Sequence, residues 1–275
     1  MKPGQQIWSW YMAEQAGKPV AFRGGGFTHK PQVLVSLLAF IMLFIAWELG
    51  SRFGVISNLV LPAPSEALAA LVQLFNSGML FKHLSASLQR FVLGWSIGSL
   101  AGVAVGLMIG LISIARAGLS PLVSAIFPIP KIALLPLFII WFGIGEGSKV
   151  ATILFGTFFP TVIATYSGVD NVDRGLILMG QSFNLSRFAI VWKIIIPGAL
   201  PAILSGFRIS ASIGIILLVA AEMIGAEFGV GAYILLAGSL MQTDQLIAGV
   251  SILSVMGLTM AWLIGRAESY FLRWR

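Results

Sequence analysis

Residues 91–115 read FVLGWSIGSLAGVAVGLMIGLISIA, a run without one charged side chain. A helix crosses the roughly 30 Å hydrocarbon core of a bilayer with about 20 apolar residues, and this run has that length and character. It also carries Gly94, Gly98, Gly102, Gly106 and Gly110. Residues four apart share one face of a helix, so the predicted helix has a groove without side chains that lets a second helix approach closely. Two uses of that groove are open: packing within one subunit, or direct lining of a path across the membrane.

Three further charge-free runs flank it: Val150–Val169, Ile209–Ala221 and Gln245–Gly265, the second with an upstream extension from Pro197 that takes in Arg208. Two more are interrupted by a single ionisable group, Val33–Ser51 by Glu48 and Leu119–Gly143 by Lys131. The count is six. Composition agrees, because 58% of the 275 residues are hydrophobic and 10% charged, where soluble domains carry about 25% charged residues. The fold class is therefore an all-α membrane protein of about six transmembrane helices. A net charge of +7 does not mark a nucleic-acid binder, since the cations form no run interleaved with exposed aromatics. With no cysteine, disulfides, thiolate nucleophiles and thiolate metal sites are excluded.

Residues 1–32 contain Trp8, Trp10, Lys18, Arg23 and a triple glycine at 24–26. They are too long and mixed for a secretory signal and read as a cytoplasmic tail. With that tail inside, the inner segments hold Lys2, Lys18, Arg23, Lys30, Arg116, Arg174, Arg187, Lys193, Arg266, Arg273 and Arg275. The outer ones keep Arg52, Lys82 and Lys149, with Arg90 at a boundary. This asymmetry satisfies the positive-inside rule and puts both termini in the cytoplasm. The expected organisation is a first transmembrane helix at 33–54, an external amphipathic segment at 55–87, a five-helix core at 88–270 and a short cytoplasmic tail at 271–275. Ser65 is the expected cap of the amphipathic helix over 67–75. The core includes a polar inner connection over 169–192, long enough to suggest a function.

Four features carry chemistry. Pro128, Pro130 and Pro136 break the third span near its middle, since each removes a backbone donor, and irregular backbone at that depth needs protein or a wet cavity beside it. Lys131, at the break, adds about 2.5 to 3.5 kcal/mol of insertion cost, so it faces a polar interior, or snorkels or pairs structurally. Arg208 and Glu222 in the fifth span read either as path or gate residues or as members of interhelical ion pairs. His29 and His83 lie outside the spans and away from carboxylates, and no metal site is expected. Gly143-Ile144-Gly145-Glu146-Gly147-Ser148-Lys149 lacks the spacing of a phosphate loop and follows a span rather than a strand. ATP-driven work would need another subunit.

Leu178-Met179-Gly180, Asn184 and Ile194-Ile195-Ile196-Pro197 resemble the loop of binding-protein-dependent ABC permeases, E-A-A, three residues, G, nine residues, I-x-L-P. The spacing fits, with Leu178 in place of the glutamate and Asn184 in place of the glycine. Leu61-Pro62-Ala63-Pro64, Ser87-Leu88-Gln89-Arg90, Pro128 to Pro136, Trp141 to Glu146 and Ala221-Glu222-Met223 are similar to the nitrate, sulfonate and taurine branch. The resemblance covers residues 60–275. It implies the type I importer (MetI-like) permease fold in a bacterial plasma (inner) membrane and a second permease copy, as a homodimer. It also implies two cytoplasmic ATPase subunits that bind ATP-Mg, an external solute-binding protein, and no cofactor or catalytic residue in this chain. The solute would be a sulfonate, taurine, nitrate or bicarbonate, passing Pro130, Lys131, Pro136, Arg208 and Glu222. The coupling helix would run from Asp173 to Phe188, with Phe183, Leu185 and Phe188 as knobs entering the ATPase and Leu178, Gly180, Asn184 and Pro197 as motif positions. An ion-gradient transporter is the rival reading, against which no inverted repeat of broken spans is visible. A membrane enzyme would need grouped acid, base and nucleophile, which the sequence lacks.

Overall fold

The computed structural model describes residues 33–273, all of whose regular elements are helical. The N-terminal tail expected in the cytoplasm, and His29 within it, lie outside the described residues. The chain divides after Leu49 into two units. The first is the body of α1 (Val33–Arg52), whose large side chains from Leu34 to Ile45 are exposed all round the helix. Apolar side chains on every face suit a span bathed in lipid.

In the second unit, α2 (Pro64–Asn76) starts with proline in its first turn, where the missing amide costs nothing, and buries Ala67, Ala70 and Leu74. Ser65 is not its cap. Ala63 holds the cap position, Glu66 Oε2 accepts from the Ala63 amide (3.1 Å), and Ser65 instead accepts from Arg52 (3.3 Å). α3 (Met79–Leu111) extends the quoted span towards its amino end and stops short of Ala115. It ends at an extended Ile112 because the Arg116 side chain takes the carbonyls of Ile109 (3.2 Å) and Gly110 (3.4 Å), an end that hydropathy does not signal.

α4 (Ser113–Ile126) is followed by a 3₁₀ turn at Lys131–Leu134 and α5 (Leu135–Phe142). The two arms meet at 92°, as two prolines without amide hydrogens in the connecting turn require. α6 (Glu146–Asp170) is central and packs between α3 and α9 (Ile196–Glu222). Short helices α7 (Arg174–Ser182) and α8 (Arg187–Ile190) fill the polar connection, and a π-helical turn at Val191–Ile195 leads into α9. α10 (Val230–Ser239) is a half-length apolar helix, and α11 (Thr243–Phe271) closes the bundle. Among the described residues, five helical stretches are long and apolar enough to cross a membrane, and the bent α4–α5 pair makes a sixth if it counts as one.

The glycine stripe of α3 lies on α6. A Cβ at Gly94, Gly98, Gly102, Gly106 or Gly110 would stand 2.3–2.8 Å from Ile153, Thr157, Phe158 O, Thr161, Thr165 or Val169. The facing residues of α6 also recur every fourth position, so one stripe meshes with the other. Thr161 and Thr165 turn their hydroxyls onto the carbonyls four residues back (2.8 and 2.7 Å) and leave their methyl-bearing sides towards the glycines. The α6–α9 contact uses the same device, with Gly168 against Ala199 and Ala202, and Gly206 against Ala164.

Candidate functional site

Lys131 begins the turn between α4 and α5. Its Nζ donates to the carbonyls of Ile126 (2.7 Å), Phe127 (2.7 Å) and Ile129 (2.8 Å) and sits 4.8 Å from the centre of the Phe159 ring. An ammonium has three protons to give, and here all three go to backbone. The reason is local: Pro130 cannot supply the amide that would otherwise take Ile126 O, and a cation at a helix carboxyl end meets the negative end of its dipole. Pro130 caps the 3₁₀ turn and Pro136 stands in the first turn of α5.

Arg90 and Glu222 meet across α3 and α9. Arg90 Nη1 donates to Glu222 Oε1 (2.8 Å) and to the Phe228 carbonyl (2.7 Å), while Nε and Nη2 hold Glu146 (2.5 and 2.7 Å) at the start of α6. Glu222 also accepts from Ser87 Oγ (2.7 Å) and the Gly231 amide (2.9 Å). Val230 N donates to Ser87 Oγ (2.8 Å). The carboxylate thus satisfies the first turn of α10 from outside that helix, where its negative charge is favoured. Gly229 has φ 148°, and a Cβ there would lie 2.5 Å from the Glu222 carboxyl carbon and 2.8 Å from Arg90 Nη1. His83, which the sequence put outside the spans and away from carboxylates, belongs to this knot. It is buried on α3, with Nδ1 3.1 Å from Gly229 N and 3.0 Å from Gly229 O. Lys149 is also buried, its Nζ on Gly145 O (2.9 Å).

Arg208 is different. It lies on a flank of α9 whose exposed residues are Ser205, Arg208, Ile209, Ser212 and Ile216. The flank borders a groove of about 310 Å³ between α9 and α11 that includes Gly257, Met260 and Ala261. Arg208 Nη2 donates to Glu268 Oε2 (2.6 Å), the single hydrogen bond of its side chain among the described residues.

The polar connection is built by its caps. Asp173 Oδ1 accepts from Gly175 N (2.7 Å) and starts α7; Ser186 Oγ accepts from Ala189 N (3.2 Å) and starts α8. Between them Leu185 N donates to Gly180 O (3.1 Å) and Asn184 N to Gln181 O (2.9 Å), the paired bonds of a Schellman motif. That motif needs a left-handed residue, and Asn184 has φ 55°. Gly180 is buried, with the ends of Ile194, Ile190 and Leu185 around the place of its missing Cβ. Leu178, Met179, Phe183, Phe188 and Trp192 are exposed, and the rings of Phe188 and Trp192 lie 5.9 Å apart. Pro197 leaves the Lys193 carbonyl without its usual donor, and the ladder widens just before it: Ile196 N reaches Val191 O, five residues back.

Residues 98–270 match the family described as the inner membrane component of binding-protein-dependent transport systems. The chain is 37% identical to the taurine transport system permease protein TauC of Escherichia coli strain K12, over 82% of this chain and 83% of the relative. The chain belongs to this permease family. It is 35% identical to the putative aliphatic sulfonates transport permease protein SsuC of Bacillus subtilis strain 168, over 87% of each chain. The permease of a methionine ABC transporter in an inward-facing conformation superimposes with a TM-score of 0.60 at 19% identity, over 70% of this chain and 96% of that one, which shows the fold. The protein is therefore a multi-pass inner-membrane permease of an ABC importer, working with an ATPase and a solute-binding protein.

Of the residues singled out in this permease, Glu222 is paired deep in the bundle, Lys131 is spent on backbone and Arg208 faces a groove. Sequence reasoning missed Arg90 as the partner of Glu222, although both stand in segments noted for their resemblance to one branch. It also missed Glu268. The departure at Asn184 is explained by φ, because asparagine tolerates the left-handed region better than any residue but glycine. Asn184→Gly should change thermal stability by less than about 0.5 kcal/mol, whereas Asn184→Val should cost about 1–2 kcal/mol. Limited proteolysis between residues 180 and 190 should then accelerate for the valine variant alone; equal cleavage of both would contradict this account.

Proposed function

We propose that this permease imports a small sulfonate, of the taurine or aliphatic sulfonate kind, through a path between two copies of the chain. The observation that carries the reading is Arg208, a half-exposed cation on the flank of a membrane-crossing helix. A charge there against lipid would cost up to about 2.5–3.5 kcal/mol, the figure for a helix centre. A flank with Ser205, Arg208 and Ser212 suits a wet path that an anion enters. The names of the relatives, a taurine permease and aliphatic sulfonate permeases, support the solute class.

The rest of the machine follows from charge and exposure. Positive-inside asymmetry puts both termini and the 169–192 connection in the cytoplasm. There the exposed Leu178, Met179, Phe183 and Phe188 form an apolar patch on a polar connection, the kind of surface that docks a partner. That partner is a pair of ATPase subunits holding ATP-Mg, and the external solute-binding protein delivers the anion on the opposite side. Closure of the ATPase pair pushes on α7 and α8, and the π-helical turn before Pro197 passes the push to α9.

Two linked measurements test this. Proteoliposomes holding the permease, its ATPase and its binding protein should accumulate taurine or ethanesulfonate only with ATP, with block by vanadate and no effect of ionophores. Uptake in vesicles without the ATPase would overturn the reading in favour of a gradient-driven carrier. Phe188→Asp should lower binding-protein-stimulated ATP hydrolysis and uptake at least fivefold while membrane insertion is unchanged; full coupling in this variant would remove Phe188 from the docking patch.

A further inference from the structure

We propose that Glu268 is an internal counter-anion: it holds Arg208 while the path is empty and yields it to the sulfonate group in transit. This rests on the reading that the flank of α9 lines the path. The first support is a comparison of how the membrane-embedded cations spend their donors. Arg90 commits its guanidinium to two carboxylates and a carbonyl, with side chains of Arg90 and Glu222 at 5% and 0% exposure. Lys131 commits all three protons to carbonyls. Arg208 commits Nη2 alone, to Glu268, and the two side chains are 51% and 33% exposed.

A guanidinium has five N–H donors in a fixed fork suited to bidentate binding of an oxyanion. At Arg208, Nε and Nη1 therefore stay available to a second acceptor in the groove. The groove, about 310 Å³, falls at the lower end of the range for small-molecule sites, about 300–1,000 Å³. Small residues at Ala211, Ser212, Gly257 and Ala261 keep it open beside the guanidinium. The guanidinium lies against Gly265, where a Cβ would make ordinary contact with Arg208 Nη2 at 3.7 Å.

The chemistry fits an exchange of ligands. A sulfonate carries one negative charge over three oxygens, and the Glu268 carboxylate carries one over two. Either can satisfy the same fork, so Arg208 keeps an anionic partner before and during passage, and the displaced Glu268 carboxylate, 33% exposed, turns to water. A carboxylate tethered on α11 competes with every incoming anion, which weakens binding and speeds release.

The test titrates the permease with its ATPase subunits in nanodiscs, without binding protein, using sodium sulfate against sodium chloride of equal ionic strength. The readout is the thermal midpoint, which rises with ligand occupancy of the folded state. Glu268→Gln should lower the apparent Kd for sulfate about three- to tenfold, and Glu268→Asp should give a smaller shift in the same direction. Arg208→Gln, alone or combined with Glu268→Gln, should abolish the sulfate-specific response. A lower midpoint in Glu268→Gln with the sulfate dependence of the wild type would overturn the proposal and leave a packing ion pair. Failure of wild-type taurine uptake would instead count against the solute class, since the sulfate titration does not depend on it.

Discussion

Glu222→Ala is expected to destabilise the permease by about 3–5 kcal/mol, the cost of leaving one member of a buried ion pair uncompensated. Glu146→Ala is expected to cost less than about 1 kcal/mol, as exposed ion pairs do. Both carboxylates bind the same guanidinium, and Glu146 holds it through two nitrogens, at 2.5 and 2.7 Å. Distance alone would rank Glu146 first. Burial reverses the order, because the Glu146 side chain is 66% exposed and that of Glu222 is 0% exposed. Water replaces the lost partner in one case and cannot in the other. Removing Glu222 also strips an acceptor from Ser87 and from the Gly231 amide, so α10 loses an anchor of its first turn. Glu222→Gln keeps the shape and an acceptor and should fall between the two. Thermal unfolding in detergent ranks the three variants, and equal losses from Glu222→Ala and Glu146→Ala would refute the argument.

Gly98→Ala should be the most damaging single methyl in the α3–α6 contact. Its Cβ would stand 2.3 Å from Thr157 Oγ1, 2.5 Å from Leu154 O and 3.1 Å from Leu154 Cα. Two of these are backbone atoms of a helix that is itself held by α9, so the helices must separate. Overpacking of a tight contact costs about 1–3 kcal/mol and occasionally more, and separation also loosens the meshing at Gly94 and Gly102. The paired control is Gly118→Ala on α4, where a Cβ meets nothing within 4 Å. There the change removes a helix-interior glycine and should be neutral or add up to about 1 kcal/mol. Lower detergent-extracted yield and a lower melting midpoint for Gly98→Ala than for Gly118→Ala are the expected results. Matching midpoints would mean that the helices are not in close contact along this stripe.

Much of the polar connection over 169–192 was legible because its signals are local. The helix start at Asp173, the interval from Leu178 to Pro197 and the replacement of a family glycine by Asn184 all involve backbone within a few turns; the single helix expected from Asp173 to Phe188 is instead two, α7 and α8, parted where Asn184 turns left-handed. The break at Pro128 and Pro130 was legible for the same reason. The end of α3 was not, because Ile112 is apolar and the helix stops where Arg116 captures two carbonyls. Ser65 looked like a cap only until the register of α2 put Pro64 inside its first turn.

By itself the sequence determined the all-helical, many-span character of the chain, the stripe of glycines and its kinship. Hydropathy and backbone propensity accumulate residue by residue, so a linear reading captures them. Only the tertiary structure decided what each membrane-embedded charge does. Arg90 meets Glu222 across 132 positions, His83 meets Gly229 across 146, and Arg208 meets Glu268 across 60. Which way a side chain points around a helix, and what waits there, depends on how helices rotate against one another as they pack. That rotation fixed Arg90 into the frame and left Arg208 half free beside a groove; Lys131 was settled locally, by the carbonyls of its own turn.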